Sequence, residues 1–467
     1  MSKNQSVKTI KEPARETKVC READVVVVGG GPGGHAAAVA AARNGADTVL
    51  IERYGCLGGM STGGLVTIIP NMSDIDGKQQ IAGQCQEWVD RLDVREATDY
   101  PKEEQWGSAD PKLVKYWADR SFFCERLERV VYSVHVDAEI LKCILNDMVE
   151  EAGVKTYLHS WGTQPIVEGD KVRGVIFESK SGRQAILSKV VIDATGDGDL
   201  LPYANIEFET NIPPNFRIAN LALCYWVDNV DFKKAREFQK SKPDKFGEQS
   251  QELLKLGGYP GYFSCNLKNQ DRVMWFHNRH PNSSQVDVEE LTRIEFAGRK
   301  KMLITFDYRK KHTPGFENSF IVLTAPQLGI RSSRRMIGEY KLTKKDLNSN
   351  EIFEDTIAIF PDLDRGEESV RYPLMYIPYR CLLPRNVDNL LVACRAFSSD
   401  EHVQEFFNLI PHCIAFGEAA GTAAALALDA GVSPKQVDMK ALQDRLRKQG
   451  VILPDIEKKE EKKRLAN

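Results

Sequence analysis

A glycine-rich turn and a later acidic residue have the types and spacing that could do chemistry. Gly29, Gly31 and Gly34 match the pattern GxGxxG, and Glu52 stands 18 residues beyond Gly34. In this pattern the first glycine permits a tight turn, the second lets the backbone approach a diphosphate, and the third lets helix and strand pack closely. The carboxylate of Glu52 can accept hydrogen bonds from both hydroxyls of an adenosine ribose and would repel a 2′-phosphate. These residues therefore predict a dinucleotide site that disfavours NADP.

The residues around the turn supply the elements that must position it. Four valines at 25–28 predict a strand that is buried on both faces, and 48–52 predicts a second strand. Between them, the alanine-rich segment 35–44 predicts a helix, which Gly45 can end. The amides and the dipole at the start of this helix would face the diphosphate. A plain glycine turn is the alternative, but both strands, the helix and the acid are present.

Two further segments of small residues favour a flavin over NAD. Residues 55–64 form a second glycine cluster, against which an extended cofactor could lie, and 193–199 follow a short buried strand at 190–192. Either segment alone could be an ordinary loop, but their order after the first motif favours FAD. No CxxxxC pair follows the second cluster, which argues against a disulfide relay. No second GxGxxG follows another strand, which argues against a dedicated NAD(P)H domain.

Composition excludes several classes of protein. Hydrophobic residues make up 42% of the 467 and charged residues 28%, which indicates a globular protein with a large core. The formal net charge of −3 gives no bias toward nucleic acid, and we expect neither a nucleic-acid nor a membrane partner. The ten cysteines are scattered and include no CxxC pair, so we expect neither a metal site nor a disulfide scaffold. The N-terminus has no signal peptide, and we expect a cytoplasmic protein.

The motifs together resemble the bacterial FAD-dependent oxidoreductase family (FAD_oxidored), which has a glutathione-reductase-like fold. The similarity extends over about residues 12–450 and is weakest in 66–130 and 205–320. It also includes Leu328-Gly329-Ile330-Arg331, 388–393 and Gly417-Glu418-Ala419-Ala420-Gly421. The resemblance implies tightly bound FAD and hydride transfer through N5 of the isoalloxazine ring. It does not imply a particular substrate.

By position, the resemblance assigns residues to parts of the cofactor. The ADP half is assigned to Gly29, Gly31, Pro32, Gly33, Gly34, Glu52 and Arg53, and the ribityl chain to Gly58, Gly59 and Met60. The second FAD segment is Asp193, Ala194, Thr195 and Gly196. Relatives have Ala-Gly-Arg where this chain has Ala393-Cys394-Arg395, so Cys394 either packs or takes a redox role. Cys413 and Arg395 are further candidates for contact with the flavin.

The resemblance predicts an α/β protein in which a Rossmann-like FAD-binding domain carries an inserted α+β substrate domain. The FAD-binding domain is expected at 22–204, with an excursion at about 102–128, and again at 372–450. The inserted domain is expected at 205–371, and 451–467 is a charged tail. Helices are predicted at 137–152 and 411–430, and a buried strand at 390–393.

Four residues are candidates for direct contact with a substrate. His402 and His412 could take a substrate proton, since the pKa of an ordinary histidine is near neutral. Arg331 and Arg335 could bind a polar or anionic group, and a helical run is predicted after them at 336–340. Structural roles are the alternative for all four, and the aromatics Tyr225, Trp226, Tyr259, Tyr262, Trp275 and Tyr308 are weighed as pocket or core residues.

Three functions remain open from the sequence. The first is hydride transfer between a small polar organic substrate, such as a sugar or another alcohol, and flavin N5. The second is flavin-dependent reduction of an activated C=C bond, and the third is flavin or nucleotide binding without catalysis. A further alternative, an NAD-dependent Rossmann dehydrogenase without flavin, would be a colourless protein. The excursion at 102–128 could form a homodimer contact.

Overall fold

The computed structural model describes residues 9–260, 264–265, 274–281, 284–361 and 374–455. Of the aromatic residues weighed for a pocket, Tyr262 lies outside the described residues, as does the side chain of Trp275. Most of the predicted tail also lies outside these ranges.

The strands in chain order are β1 (Lys18–Val28), β2 (Thr48–Ile51), β3 (Ile68–Ile69), β4 (Thr98–Asp99), β5 (Glu125–Arg126), β6 (Arg129–Val130), β7 (Val134–Val136), β8 (Lys155–Tyr157), β9 (Trp161–Glu168), β10 (Lys171–Ser179), β11 (Gly182–Asp193), β12 (Phe208–Glu209), β13 (Asn220–Asp228), β14 (Ser264–Cys265), β15 (Met274–Pro281), β16 (Phe320–Thr324), β17 (Arg335–Met336), β18 (Thr356–Pro361), β19 (Leu374–Pro378) and β20 (Leu390–Val392). The helices are α1 (Pro32–Arg43), α2 (Gln84–Asp93), α3 (Pro111–Arg120), α4 (Ala138–Glu151), α5 (Phe232–Ser241), α6 (Pro243–Lys255), α7 (Val288–His312), α8 (Lys344–Ser349), α9 (Glu401–Phe406), α10 (Ile410–Ala430) and α11 (Met439–Lys448).

The main sheet confirms the predicted βαβ unit. Its parallel part has the order β8–β2–β1–β11–β20, and β9 and β10 extend β11 in antiparallel fashion. Val25 and Val27 pack into one hydrophobic cluster, whereas Val26 and Val28 pack into another on the opposite face. A strand with apolar side chains on both faces is stable only between two layers, as the four consecutive valines predicted.

Helices α1 and α10 pack in direct backbone contact on one face of this sheet. A Cβ at Gly417 would overlap the carbonyl oxygen of Gly33, and a Cβ at Gly421 would overlap that of Ala37. By length and mean hydropathy α10 is a candidate membrane span, the one such helix in the part of the chain that the structure describes, but 67% of its most apolar window is buried inside the protein. Its apolar composition is therefore explained by packing in the core.

Helix α10 also holds a buried carboxyl group at the start of α2. Glu418 is 2% exposed, and its Oε2 accepts a hydrogen bond from the backbone N–H of Gln84 at 3.0 Å. Gly83 carries no side chain there, and a Cβ at this position would overlap the same carboxyl oxygen. Glu418 thus caps α2 from a neighbouring helix.

The cap of α2 lies beside a polar cleft at the far end of α1. The arginines that line this cleft are paired: Arg43 with Glu87 at 2.6 Å, and Arg445 with Asn44 at 2.6 Å. The polar groups of this cleft are therefore used in contacts that connect the ends of neighbouring helices.

We predict that Glu418 makes the stability of the protein fall as pH rises. Burial raises the pKa of Glu418 to about 8, whereas an unfolded glutamate titrates near its ordinary value of 4.5. The stability gained from the neutral carboxyl is therefore complete below pH 4.5 and is lost as pH rises toward 8. Urea unfolding gives the free energy of unfolding at pH 5 and at pH 8. Between these two pH values, Glu418→Gln should lose less of this free energy than the wild type, by more than about 1 kcal/mol. The same loss in both proteins would contradict this account of Glu418.

The inserted region forms a second sheet. Its order is β14–β15–β13–β16, and α7 packs on it with Gly298 against Leu223. The chain rejoins the main core before the predicted boundary at 371, because Leu342, Phe353 and Phe360 belong to the main hydrophobic cluster. The predicted excursion contains α3, where Trp117 packs into a small separate core. A dimer contact there stays a prediction.

The helix predicted at 336–340 is wrong. Arg335 and Met336 form β17, which pairs with Phe208 and Glu209 of β12. The backbone N–H of Met336 donates to Ala396, and that of Ile337 donates to Glu207. These long-range hydrogen bonds replace the local bonds of a helix. The helices predicted at 137–152 and 411–430 are confirmed as α4 and α10.

Candidate functional site

A cleft opens where β1, β2, β11 and β20 end at their carboxyl edge. In open α/β sheets this edge is the usual place for a ligand. The lining residues come from all four strand ends, from α1 and α10, and from the inserted region: Val28, Gly29, Gly31, Pro32, Gly33, Ile51, Glu52, Arg53, Tyr54, Gly59, Met60, Ser160, Trp161, Gly162, Ala194, Thr195, Gly196, Asp197, Asp199, Gln327, Leu328, Ile330, Cys394, Arg395 and Cys413.

The glycine turn brings the start of α1 to this cleft. Gly29 has a φ of +97°, and a Cβ there would lie 2.5 Å from the carbonyl oxygen of Ala194. A Cβ at Gly34 would overlap the oxygen of Gly29, so this glycine lets the helix close on the strand. At Gly31, by contrast, a Cβ would meet no atom within 4 Å. The turn is therefore tight on the protein side and open on the cleft side, as the spacing predicted.

The first turn of α1 can bind an anion. Its N-cap residue is Gly31, which makes no side-chain cap, and the first turn contains no acidic residue. The first amides of a helix need an acceptor, and the helix dipole favours a negative one. The open space at Gly31 and the uncapped helix together fit a diphosphate.

Glu52 is fixed at the tip of β2 by backbone hydrogen bonds. Its Oε2 accepts the N–H of Gly30 at 2.6 Å, and its Oε1 accepts the N–H of Tyr54 at 2.8 Å. Burial raises the pKa of Glu52 although these two bonds oppose the shift. Each carboxylate oxygen keeps a lone pair free, so the group can still accept the two ribose hydroxyls.

The second glycine cluster lies directly against the first. Gly58 donates its N–H to the carbonyl oxygen of Gly30 at 2.8 Å, and a Cβ at Gly59 would lie 2.9 Å from Cα of Gly31. Gln327 of the inserted region donates its Nε2 to the carbonyl oxygen of Gly59 at 3.1 Å. The path from the glycine turn past Met60 therefore ends beneath the inserted region.

Asp193 supports the wall of the cleft that follows β11, although it does not line the cleft itself. It is completely buried and accepts hydrogen bonds from Thr195 and from the N–H of Leu200 at 3.1 Å. Burial raises its pKa. Ala194 and Gly196 face the cleft instead, and the turn that Asp193 holds keeps them there.

Charged side chains close the same wall. Arg395 makes an ion pair with Asp197 at 2.6 Å, and Ser333 donates to the same carboxylate at 2.6 Å. A Cβ at Gly196 would lie 2.5 Å from the Arg395 guanidinium, so Gly196 makes room for that arginine. Asp199 also lines the cleft, and burial together with the nearby charge of Asp197 raises its pKa to about 6.

Cys394 and Cys413 complete the wall as thiols. Burial raises the pKa of Cys413 to about 11, and it also raises that of Cys394. A neutral buried thiol is a weak nucleophile. The structure thus favours packing for Cys394, which is the first of the two roles that the sequence left open.

A profile of the family described as FAD dependent oxidoreductase matches residues 24–446. The chain belongs to this family. Its cofactor is FAD, and it is an enzyme with the Rossmann-like α/β fold that the sequence predicted. The open turn at Gly31, the uncapped α1 and the fixed Glu52 fit the ADP half of FAD.

Several solved structures resemble the chain at low sequence identity. A geranylgeranyl bacteriochlorophyll reductase-like protein from Thermoplasma acidophilum is 16% identical, with 92% of this chain and 84% of that chain covered and a TM-score of 0.45. The myxobacterial halogenase CndH is 14% identical over 91% and 79%, with a TM-score of 0.46. The p-nitrophenol 4-monooxygenase PnpA from Pseudomonas putida is 12% identical over 89% and 82%, with a TM-score of 0.44. No curated protein matches the chain.

Most of the predicted cofactor residues of this FAD-dependent oxidoreductase line the cleft, and three support it from behind. Gly34, Gly58 and Asp193 form the packing and hydrogen bonds just described. The candidates for contact with substrate are placed differently. His402, His412, Arg331 and Arg335 are not among the residues that line the cleft.

His412 is a poor candidate for a catalytic base in this flavoenzyme. It is completely buried among Phe360 and Phe407, and its Nδ1 accepts the N–H of Leu409 at 3.3 Å. Burial lowers the pKa of His412 to about 3, and the nearby charge of Arg217 adds to the shift. The side chain therefore stays neutral and caps the start of α10.

His402 lies on α9 and Arg335 lies on β17, where α9 meets the inserted region. His402 is partly exposed and packs edge-on against Phe216, with 5.1 Å between ring centroids. Arg335 is completely buried and donates to the carbonyl and side-chain oxygens of Asn211 at 2.8 and 3.0 Å. Arg335 also lies 3.9 Å from Glu401 of α9, so its charge links the inserted region to this helix. Arg331 is half-buried, and its contact with a substrate stays a prediction.

Several residues of the cleft were not found from the sequence. Ser160, Trp161 and Gln327 come from segments that carry no glycine motif, and Tyr54 stands just before the second glycine cluster. The N–H of Ser160 bonds to the carbonyl oxygen of Glu52 at 2.9 Å, which brings the start of β9 beside the acid. The glutathione-reductase-like topology that the resemblance implied was the signal that could have pointed to β9.

We predict that Glu52→Gln weakens FAD binding by on the order of 10- to 100-fold, because hydrogen bonds to a charged group contribute about 1.5–3 kcal/mol. Titration of the apoprotein with FAD, followed by flavin fluorescence, measures this change. Glu22→Gln on the exposed part of β1 is the matched control, which should bind as the wild type does. Equal affinity in the Glu52 variant would remove this residue from the cofactor site.

Proposed function

We propose that this enzyme transfers a hydride between a small polar organic substrate and N5 of FAD. The supporting observation is the contact of Gln327 with Gly59, which places the inserted region over the end of the cofactor path. Leu328 and Ile330 lie on the same side and line the cleft with Met60. Bound FAD supplies a site at N5 that accepts or donates a hydride. The apolar side chains here would keep water away from that position.

The polar groups at this end of the cleft favour a small, neutral and polar substrate. Gln327 is mostly buried, and its amide oxygen is left for a donor such as a hydroxyl group, since its Nε2 is used by Gly59. The thiols of Cys394 and Cys413 stay protonated and give no nucleophile. His402 lies outside the cleft lining but is partly exposed, whereas His412 is completely buried, so His402 stays our candidate for the proton that accompanies the hydride.

Anaerobic reduction of the flavin tests this proposal. The purified holoenzyme is mixed with sugars and other alcohols without oxygen, and the visible absorption of the flavin is followed. We expect bleaching by a member of this class, and a slower reaction in His402→Gln than in the wild type. Asn386→Gln, which changes a side chain on the exposed surface, is the control.

Reduction of an activated C=C bond is the second candidate function. It predicts that no alcohol bleaches the flavin, that a chemical reductant does, and that an enone then restores the yellow colour. This outcome would overturn oxidation of an alcohol and keep the cofactor site.

A further inference from the structure

Trp161 is the first residue of β9 and stands beside the acid at the tip of β2. The hydrogen bond from the N–H of Ser160 to the carbonyl oxygen of Glu52 fixes this neighbour relation at 2.9 Å. Gly162 follows, where a Cβ would overlap the side chain of Val28 in β1. The backbone is therefore held closely on both sides of Trp161, while its side chain lines the cleft.

The indole of Trp161 is open to solvent to an unusual degree. It is 55% exposed, whereas Trp88, Trp117 and Trp226 are at most 8% exposed. Burying an aromatic ring is strongly favourable, and a flat exposed ring in a cleft suits a flat partner.

A cation lies within cation–π distance of this indole and of a second ring. The Arg53 guanidinium carbon is 5.8 Å from the centroid of the Trp161 ring and 4.9 Å from that of Tyr54. Guanidinium and aromatic faces both stack on nucleobases. Trp161, Arg53 and Tyr54 therefore form a wall suited to a base, and all three line the cleft.

We propose that the adenine base of FAD stacks on the exposed face of Trp161, which makes Trp161 a positioning residue for the adenosine end of the cofactor. When Glu52 binds the ribose hydroxyls, the base attached to the same sugar extends past the tip of β2 toward β9. Trp161 lies in that direction, because the backbone N–H of its neighbour Ser160 is hydrogen-bonded to the carbonyl oxygen of Glu52. The inference rests on FAD binding and is independent of the proposed hydride transfer.

The test uses ADP, which carries the base and the diphosphate but no flavin. Calorimetric titration of the full-length apoprotein gives the ADP dissociation constant for the wild type, Trp161→Phe and Trp161→Ala. Loss of one base–aromatic stack weakens binding by on the order of 10- to 100-fold in the alanine variant. The phenylalanine variant keeps a ring and should stay within about threefold of the wild type. Tyr116→Ala changes a ring on α3 that is 54% exposed, and is the matched control.

A second readout does not depend on affinity. ADP should quench tryptophan fluorescence in the wild type and fail to do so in Trp161→Phe, since the stacked indole is then absent. Wild-type ADP affinity in Trp161→Ala, or quenching that persists in Trp161→Phe, would overturn the assignment. Because no substrate is turned over, failure here is distinct from failure of the hydride-transfer proposal, which only the flavin absorbance tests.

Discussion

Gly31→Glu should weaken the affinity for FAD by more than about 1,000-fold, or about 4 kcal/mol, while the protein still folds. A Cβ at Gly31 meets no atom within 4 Å, so the larger side chain has room in the free protein. That room is where we place the diphosphate, at the uncapped start of α1. The new carboxylate would occupy the site and would also take the favourable end of the helix dipole.

Gly247→Glu is the control for the change at Gly31. It makes the same substitution in α6, at an exposed position that also has no atom within 4 Å of a Cβ. We expect its FAD content and its thermal unfolding to match those of the wild type. Thermal unfolding of Gly31→Glu without FAD should match that of the wild-type apoprotein. Full FAD content in Gly31→Glu would show that the diphosphate lies elsewhere.

Gly417→Val should have the largest effect on folding. The new side chain would overlap the carbonyl oxygen of Gly33 in α1, a backbone atom that cannot rotate away. Helices α1 and α10 must then separate, which opens the core and moves the glycine turn. Overpacking in a core costs about 1–3 kcal/mol and sometimes more, and this clash involves backbone, so we expect at least about 3 kcal/mol.

The measurement for Gly417→Val is chemical denaturation, followed by circular dichroism. Gly247→Val in α6 introduces the same side chain in open space and should unfold at nearly the wild-type denaturant concentration. We expect the Gly417 variant to unfold at a much lower concentration or to be insoluble. Near-wild-type stability would mean that the two helices are not in backbone contact.

These two glycines show what the sequence could predict. The GxGxxG spacing, the valine run at 25–28 and the acid at Glu52 are local patterns that have one common structural solution. The structure confirms the strand, the helix and the turn that they indicated. The close packing of Gly417 on Gly33 depends on two segments far apart in the chain, and a single sequence carries little signal for it.

The errors have the same physical origin. A helix at 336–340 was predicted from local preference, but Met336 pairs with Phe208, and tertiary hydrogen bonds outweigh propensity. The inserted domain is predicted to extend to 371, whereas Phe360 already packs in the main core. Trp161 carries no motif in the sequence, because its place beside Glu52 arises from the order of strands in the sheet.

The candidate catalytic residues were the hardest part to predict. His402 and His412 follow a strand that ends at the cleft, and their local patterns do not distinguish a buried histidine from an exposed one. The structure separates them, since His412 is enclosed by aromatic rings and His402 reaches solvent.

The flavin content of the purified protein tests the central assignment most directly. The protein is denatured by heat, and the released cofactor is identified by chromatography and measured against protein concentration. We expect FAD, close to one molecule per chain after reconstitution of the apoprotein, and much weaker uptake of FMN. Protein that takes up no FAD after reconstitution, or that takes up FMN equally well, would contradict binding through the diphosphate at α1 and the ribose at Glu52.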